Sequence, residues 1–183
     1  MLPKSDNPEI QKEQLDFYRN MAKKTITIID PENKGMIVKE EVSYIMRYCL
    51  QFPSEAQVRD HIIPELEQDE PSKHVPTAKV EEVVTQSLMK NEYEPAPAER
   101  LLAAFRILDP QGTGKIPLDV IDELLTTKGI PFRDQEIDEF KLYAQDKTGT
   151  CVEYEDYVAK LIDENERHKE YLLQDWYAKQ NKR

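Results

Sequence analysis

The 183 residues carry 36 Asp and Glu against 25 Lys and Arg, a formal charge of −11. That balance argues against a phosphate backbone as partner, because nucleic-acid binding relies on cations displacing counterions. With 39% hydrophobic and 33% charged residues and only five Gly, the composition is that of a helix-rich globular chain, long enough for one domain or two small ones, and excludes a disordered or fibrous one.

No uncharged apolar stretch approaches membrane-spanning length, and the N-terminal MLPKSDNPEI lacks the apolar core of a signal peptide. Cys49 and Cys151 stand far apart with no metal or redox spacing around either. The expectation is a cytoplasmic protein with unpaired structural thiols and no membrane partner.

The first informative unit is DPENKGMIVKEE, residues 30–41. An EF-hand loop takes Asp at its first position, Gly at the sixth for a sharp turn, an apolar residue at the eighth to pair with a partner loop, and an acid at the twelfth. Asp30, Gly35, Ile37 and Glu41 fill those places. The same template falls on QDEPSKHVPTAK, residues 68–79, around Val75, with helical spacing before it (Val58, Ile62, Leu66) and after it (Val80, Val83, Val84). Pro64 predicts that the helix after Ser54 kinks or ends near Asp60.

EYEPAPAE, residues 92–99, holds two prolines and reads as an extended connector. In LLAAFRILDPQGTGKIPLDVIDELL, residues 101–125, Leu101, Phe105 and Leu108 share one helical face. Asp109, Gly114 and Ile116 then match a third loop, and Leu118, Ile121 and Leu125 mark the exiting helix. A fourth loop, QDKTGTCVEYED at residues 145–156, is placed by Val152 and by the helical patterns that flank it. Pro76 and Pro117 sit at loop position 9, near the first helical turn, where a missing N–H costs little.

The fold expected is therefore all-α: four EF-hands in two lobes, 9–89 and 98–162, joined by the 92–99 linker, with a C-terminal helical extension over 163–183. Pairing across the loops predicts short antiparallel bridges between Ile37 and Val75 and between Ile116 and Val152.

These segments resemble calmodulin. EEVSYIMRYCLQFPSEAQVRDHI (40–62) is similar to its first interhelical segment, with Met46-Arg47 and the Pro53, Glu55, Ala56 cluster in register, and GIPFRDQEIDEF (129–140) to the corresponding part of its C-lobe. Within that superfamily, EYEPAPAERLLAAFRILD (92–109) and LIDEN (161–165) most resemble the EF-hand subunit of the nexin-dynein regulatory complex of cilia and flagella. The resemblance implies a protein of the cytoskeleton, seated in the axoneme on doublet microtubules, that helps control dynein-driven motility.

Calcium needs six to eight oxygens, two of them usually from the acid at position 12. Loop 2 has Gln68, Lys73 and Lys79 at positions 1, 6 and 12; loop 3 has Gln111, Thr113 and Val120 at 3, 5 and 12; loop 4 has Gln145, Lys147 and a shortened Asp156. Only loop 1 keeps Asp30, Glu32, the Met36 carbonyl and Glu41, and there Lys34 places an ammonium at position 5. The reading is a weak or vestigial metal site, with no cofactor required and calcium possible at the first loop only.

Calmodulin-type grooves rely on pliable methionines. The segment from residue 98 onward has none, and Leu124, Leu125, Phe140, Tyr143 and Val158 take the apolar places, which suits one dedicated helix. Met46 and Cys49 are the matching candidates in the first lobe. In the tail, Leu173, Trp176 and Tyr177 form an apolar stripe that either folds back on its own lobe or docks on a neighbouring protein. Many of these residues serve the core alone.

His61, His74 and His168 show no metal spacing, and no P-loop, GxSxG, HExxH or dinucleotide fingerprint occurs, so no catalytic residue and no enzyme are expected. The partner expected is an amphipathic or IQ-like helix of a larger axonemal protein of the dynein regulatory complex, with no nucleic acid, no membrane and no homo-oligomer. The alternative is a calcium sensor or buffer acting through the first EF-hand.

Overall fold

Helix starts follow the local chemistry. Asn7 accepts the Glu9 N–H at 2.9 Å and Pro8 occupies the first turn, which opens α1 (Pro8–Ile29). The computed structural model describes residues 6–67 and 72–180. After α1 come β1 (Met36–Val38) and α2 (Glu41–Tyr48). A Ser54–Gln57 capping box then starts α3 (Glu55–Gln57), which passes through a π-helical turn at Val58–Ile62 into α4 (Ile63–Leu66). β2 (His74–Pro76) and α5 (Thr77–Lys90) complete the first half.

The second half repeats the order: α6 (Ala98–Leu108), β3 (Lys115–Pro117), α7 (Leu118–Thr127), α8 (Asp134–Ala144), β4 (Cys151–Glu153) and the long α9 (Tyr154–Gln180). β1 pairs with β2 and β3 with β4, both antiparallel, which places Ile37 opposite Val75 and Ile116 opposite Val152. Gly35 and Gly114 turn their loops at φ of 77° and 76°, a region that side chains with a Cβ enter at a cost.

The segment after Ser54 runs on to Leu66 and does not end at Asp60. Pro64 lacks the N–H that would bond Asp60, and the π turn takes up the mismatch by bonding the Ile63 N–H to the Val58 carbonyl, five residues back. Gln68 and residues 69–71, the start of the second loop, lie outside the described residues.

α2 ends in a Schellman-type cap. The Leu50 N–H bonds the Arg47 carbonyl at 3.0 Å and the Gln51 N–H bonds the Met46 carbonyl at 2.9 Å. The left-handed position in this motif normally belongs to glycine, yet here it is Leu50, at φ 61°. That backbone costs a leucine roughly 1–2 kcal/mol, so packing of the side chain has to offset it.

The chain divides into two units, the first made of residues up to Pro95 with those from Lys169 on, the second of Ala96–His168. The first is sealed: Ala22, Ile45, Met46, Cys49, Leu66, Val75, Val80 and Leu88 are all at 0% exposure. The tail joins this core through Leu172 and Trp176, and Trp176 meets Phe17 edge-on at 5.7 Å. Neither alternative expected for the tail describes this, since Leu173 and Trp176 of its apolar stripe pack on the first unit while Tyr177 stays exposed.

The second unit buries less. Its core is Ile116, Ile121, Ala144, Val152 and Tyr154, while Leu102, Phe105, Leu118, Leu125, Phe140 and Tyr157 pack against it half-exposed. No residue of α6 is buried. The cost of truncation should follow this difference. Ile45→Ala should destabilise the first unit by about 3–5 kcal/mol, whereas Leu125→Ala should cost the second unit under about 2 kcal/mol, measured by urea unfolding of the full chain with unit-specific amide exchange.

Candidate functional site

Loop 1 draws its shape from Asp30, which is buried at the end of α1 and accepts the backbone N–H of Lys34 and of Gly35, each at 2.9 Å. Glu32, Met36 and Glu41 line the same recess, together with His74 from β2. The Lys34 ammonium lies 2.6 Å from the Glu32 carboxylate. With one oxygen each from Asp30 and Glu32, two from Glu41 and the Met36 carbonyl, the loop offers five of the six or more that calcium takes, and Glu32 already pairs with a cation, so the set fits calcium poorly. Among the described residues no group of three or more His, Cys, Asp or Glu stands positioned for a metal.

Loop 3 is organised differently. Asp109 is 7% exposed and is met on three sides: the Gly114 N–H at 2.8 Å, the Thr113 hydroxyl at 3.1 Å and the Tyr154 hydroxyl at 3.1 Å. Burial pulls its pKa upward, but the bonds from Thr113, Gly114 and Tyr154 outweigh that and hold it below the usual carboxylate range. Tyr154 is the first residue of α9, buried, and its ring stacks on Phe105 at 5.7 Å. Its hydroxyl pKa is raised by burial and by the bond to Asp109.

Loop 4 satisfies its own carboxylate in the same manner. Asp146 accepts the Thr148 hydroxyl at 2.7 and 2.9 Å, then the Thr150 and Cys151 N–H groups at 3.1 and 3.3 Å. The Thr148 hydroxyl is the main cause of a strongly lowered pKa. In both loops, hydroxyl and N–H donors occupy the lone pairs that a cation would use.

The role of Tyr154 was not read from the sequence. The signal was slight: Tyr154 follows two residues after Val152, the residue that marks the pairing with the third loop.

The candidate partner residues fall into three settings. Met46 and Cys49 are fully buried in the first unit, where burial pushes the Cys49 thiol up to about 12 against the opposing hydrogen bond it shares with the Thr25 hydroxyl. Val158 is also buried, in the second unit. Leu124, Leu125 and Phe140 are half-buried, and Tyr143 is 39% exposed.

Phe140 and Tyr143 meet Tyr157 edge-on at 5.6 and 6.0 Å, and Phe132 meets Phe140 at 6.5 Å. The Tyr143 hydroxyl donates to Glu164 at 2.6 Å, and burial followed by that bond raises its pKa to about 12. In the tail, Leu173 is half-buried and Trp176 buried, while Tyr177 is 48% exposed. The structure thus gathers Leu124, Leu125, Phe140 and Tyr143 on the unsealed unit and leaves Met46, Cys49, Leu173 and Trp176 in the packing of the other.

The second unit is also the more acidic, with 16 Asp and Glu against 9 Lys and Arg in residues 96–168, a balance of −7 of the chain's −11. A half-open aromatic face on an acidic body suits a basic, amphipathic helix.

No family model matches the chain. Among curated proteins it is 31% identical to mouse dynein regulatory complex protein 8 over 144 residues, which cover 78% of this chain and 87% of that protein. Among solved structures it is similar to the myosin II regulatory domain of Physarum polycephalum, with a TM-score of 0.62 at 22% identity over 77% of this chain and 92% of that one. It is also similar to the light chain Mlc1p bound to IQ2 of Myo2p, a class V myosin, with a TM-score of 0.59 at 21% identity over 76% and 96%. These two likenesses establish the fold, a helical light-chain and calmodulin type.

Depressed carboxylate pKa values stabilise the folded state above the unfolded pKa and withdraw that stability as pH falls through the folded one. Stability of the second unit carried by Asp109 and Asp146 should hold from neutral pH down to about pH 4 and then decline, their ordinary value being 3.8. Tyr154→Phe should move the acid-unfolding midpoint of this unit to higher pH, read by tyrosine circular dichroism along an acid titration. An unchanged midpoint would show that the Tyr154 hydroxyl contributes nothing to holding Asp109 charged.

Proposed function

The chain belongs to the dynein regulatory complex protein 8 family, and from that premise we propose a non-enzymatic, light-chain-like subunit of the ciliary axoneme. Its four helix–loop–helix units are EF-hands paired into two calmodulin-like lobes. The second lobe clasps a basic, amphipathic, IQ-like helix of a larger subunit, and does so without calcium, contributing to control of dynein-driven motility.

The observation that carries this reading is the combination found in residues 96–168. The apolar side chains of α6, α7 and α8 are left half-open while the two loop aspartates are already satisfied by Thr113, Gly114, Tyr154 and Thr148. A calcium sensor closes its lobe when empty and opens it on binding. A lobe that stays half-open with its loops answered from within has no use for that switch, and an exposed apolar face needs an occupant.

The likeness to a light chain seated on an IQ helix supports a helical occupant, and the acidic surface supports a basic one. The competing reading is a sensor acting through loop 1, favoured by Asp30, Glu32, Met36 and Glu41 lining one recess.

Two measurements separate these readings. Crosslinking and affinity capture from axonemal extract should recover the same basic helix in calcium and in EGTA, and Phe140→Asp should reduce capture at least about tenfold, since it places a charge in the apolar contact. Release in EGTA would favour the sensor. Titration calorimetry should find at most one calcium site, abolished by Glu41→Gln, and two or more micromolar sites would contradict the oxygen count made for loops 2 to 4.

A further inference from the structure

The linker between the two helix–loop–helix units of the first unit is held in an arrangement that its own residues do not favour. Leu50 occupies the left-handed position of the α2 cap at φ 61°. Gln51, next in the chain, is fully buried, and neither its Nε2 nor its Oε1 has a hydrogen-bond partner among the described residues. Phe52 is fixed from outside the linker, its N–H donating to the Tyr93 carbonyl at 2.8 Å. The cap bonds to Arg47 and Met46 leave the backbone cost of Leu50 and the burial of Gln51 to be offset by contacts made elsewhere.

For Leu50 those contacts come from the tail. Its side chain, 7% exposed, lines one recess with Phe17, Tyr18 and Met21 of α1 and with Lys169, Leu172 and Leu173 of α9. One turn further along α9, Trp176 is buried on Phe17, and Asp175 forms an ion pair with Lys24. The tail thus reaches the first unit where α2 ends, directly after the fully buried Met46 and Cys49.

We infer that residues 169–177 are a built-in strap: by covering Leu50 they hold it in the left-handed conformation and keep the two helix–loop–helix units of residues 6–95 closed on each other. With the strap in place, leucine is the better residue at position 50, because its side chain seals the recess. With the strap undone, Leu50 loses the cover of Leu172 and Leu173 and keeps only its neighbours on α1, so the backbone cost outweighs the remaining contact and glycine becomes the better residue. A tail that merely added stability at a distance would not reverse the preference. The inference is independent of whether the second unit clasps a helix.

The test is amide hydrogen exchange on the full-length chain, comparing the wild type, Trp176→Ala, Leu50→Gly and the double variant. Trp176→Ala should accelerate exchange of the Gln51 and Phe52 amides about tenfold while leaving the Ile116–Val152 strand pair of the second unit unchanged. Leu50→Gly should restore protection in the Trp176→Ala background and reduce it in the wild type. Trp176 is the single tryptophan, so its emission reports in parallel whether the strap is seated in the Leu50→Gly variant.

Should Trp176→Ala unfold the first unit outright, seen as lost protection across the Ile37–Val75 strand pair, Leu173→Ala removes a half-buried contact in its place and carries the same expected signs. A Leu50→Gly effect of equal sign and size in both backgrounds would overturn the inference. So would linker exchange indifferent to loss of the tail contact.

Discussion

A buried carboxylate has to be answered, by a cation or by hydrogen-bond donors, and the second unit answers Asp109 with donors of its own. Removing such a group from water without partners is costly, and an EF-type loop ordinarily recruits calcium for the purpose. Here the Thr113 hydroxyl, the Gly114 N–H and the Tyr154 hydroxyl complete the shell. Because Tyr154 belongs to the opposite loop, the same bond ties the third loop to the start of α9, alongside the β3–β4 pairing. The loop pair is thereby tied together by bonds among the protein's own residues.

The state of the helices follows from that. α6 contributes no fully buried residue, and Phe105, Phe140 and Tyr157 pack against one another with their outer surfaces uncovered. The first unit solved the same topology in the other direction, with Ile45, Met46 and Leu66 at 0% exposure and two tail side chains added to its core. One chain therefore carries a closed pair and a half-open pair of similar local architecture. The difference lies in where the aromatic rings sit: Phe17, Tyr18 and Trp176 are buried among the aliphatic residues and methionines of the first unit, whereas Phe105, Phe140 and Tyr157 pack edge to face at the half-exposed margin of the second.

Much of the architecture could be read from the chain because its determinants are local. Gly35 and Gly114 turn their loops, Ile37, Val75, Ile116 and Val152 form the predicted bridges, and residues 92–97 lie outside helix, between a left-handed Asn91 that caps α5 and the start of α6. Pro64 was legible as a disturbance but its form was not, since a π turn depends on whether the neighbouring carbonyls can re-register. Among the site residues, Lys34, Lys73 and Val120 stand in the sequence at loop positions 5, 6 and 12, where calcium-binding loops carry oxygen ligands or glycine. The tertiary answers were not legible there. Periodicity shows that Leu173 and Trp176 share a face but not which surface receives it. It marks Met46 as apolar without saying whether its lobe is sealed. Leu50 carries no sign of a left-handed backbone, because the residue that usually signals one is glycine.

The central claim is that the second unit keeps its apolar face half-open with no ion bound. Aromatic and methyl NMR spectra of the full-length chain, recorded in EGTA and again with millimolar calcium, test it most directly. The account predicts that the resonances of Phe105, Phe140, Tyr157 and Leu125 coincide in the two conditions and that these side chains remain in contact with solvent in both. A spectrum in EGTA showing these side chains sealed, with large shifts as calcium is added, would contradict it.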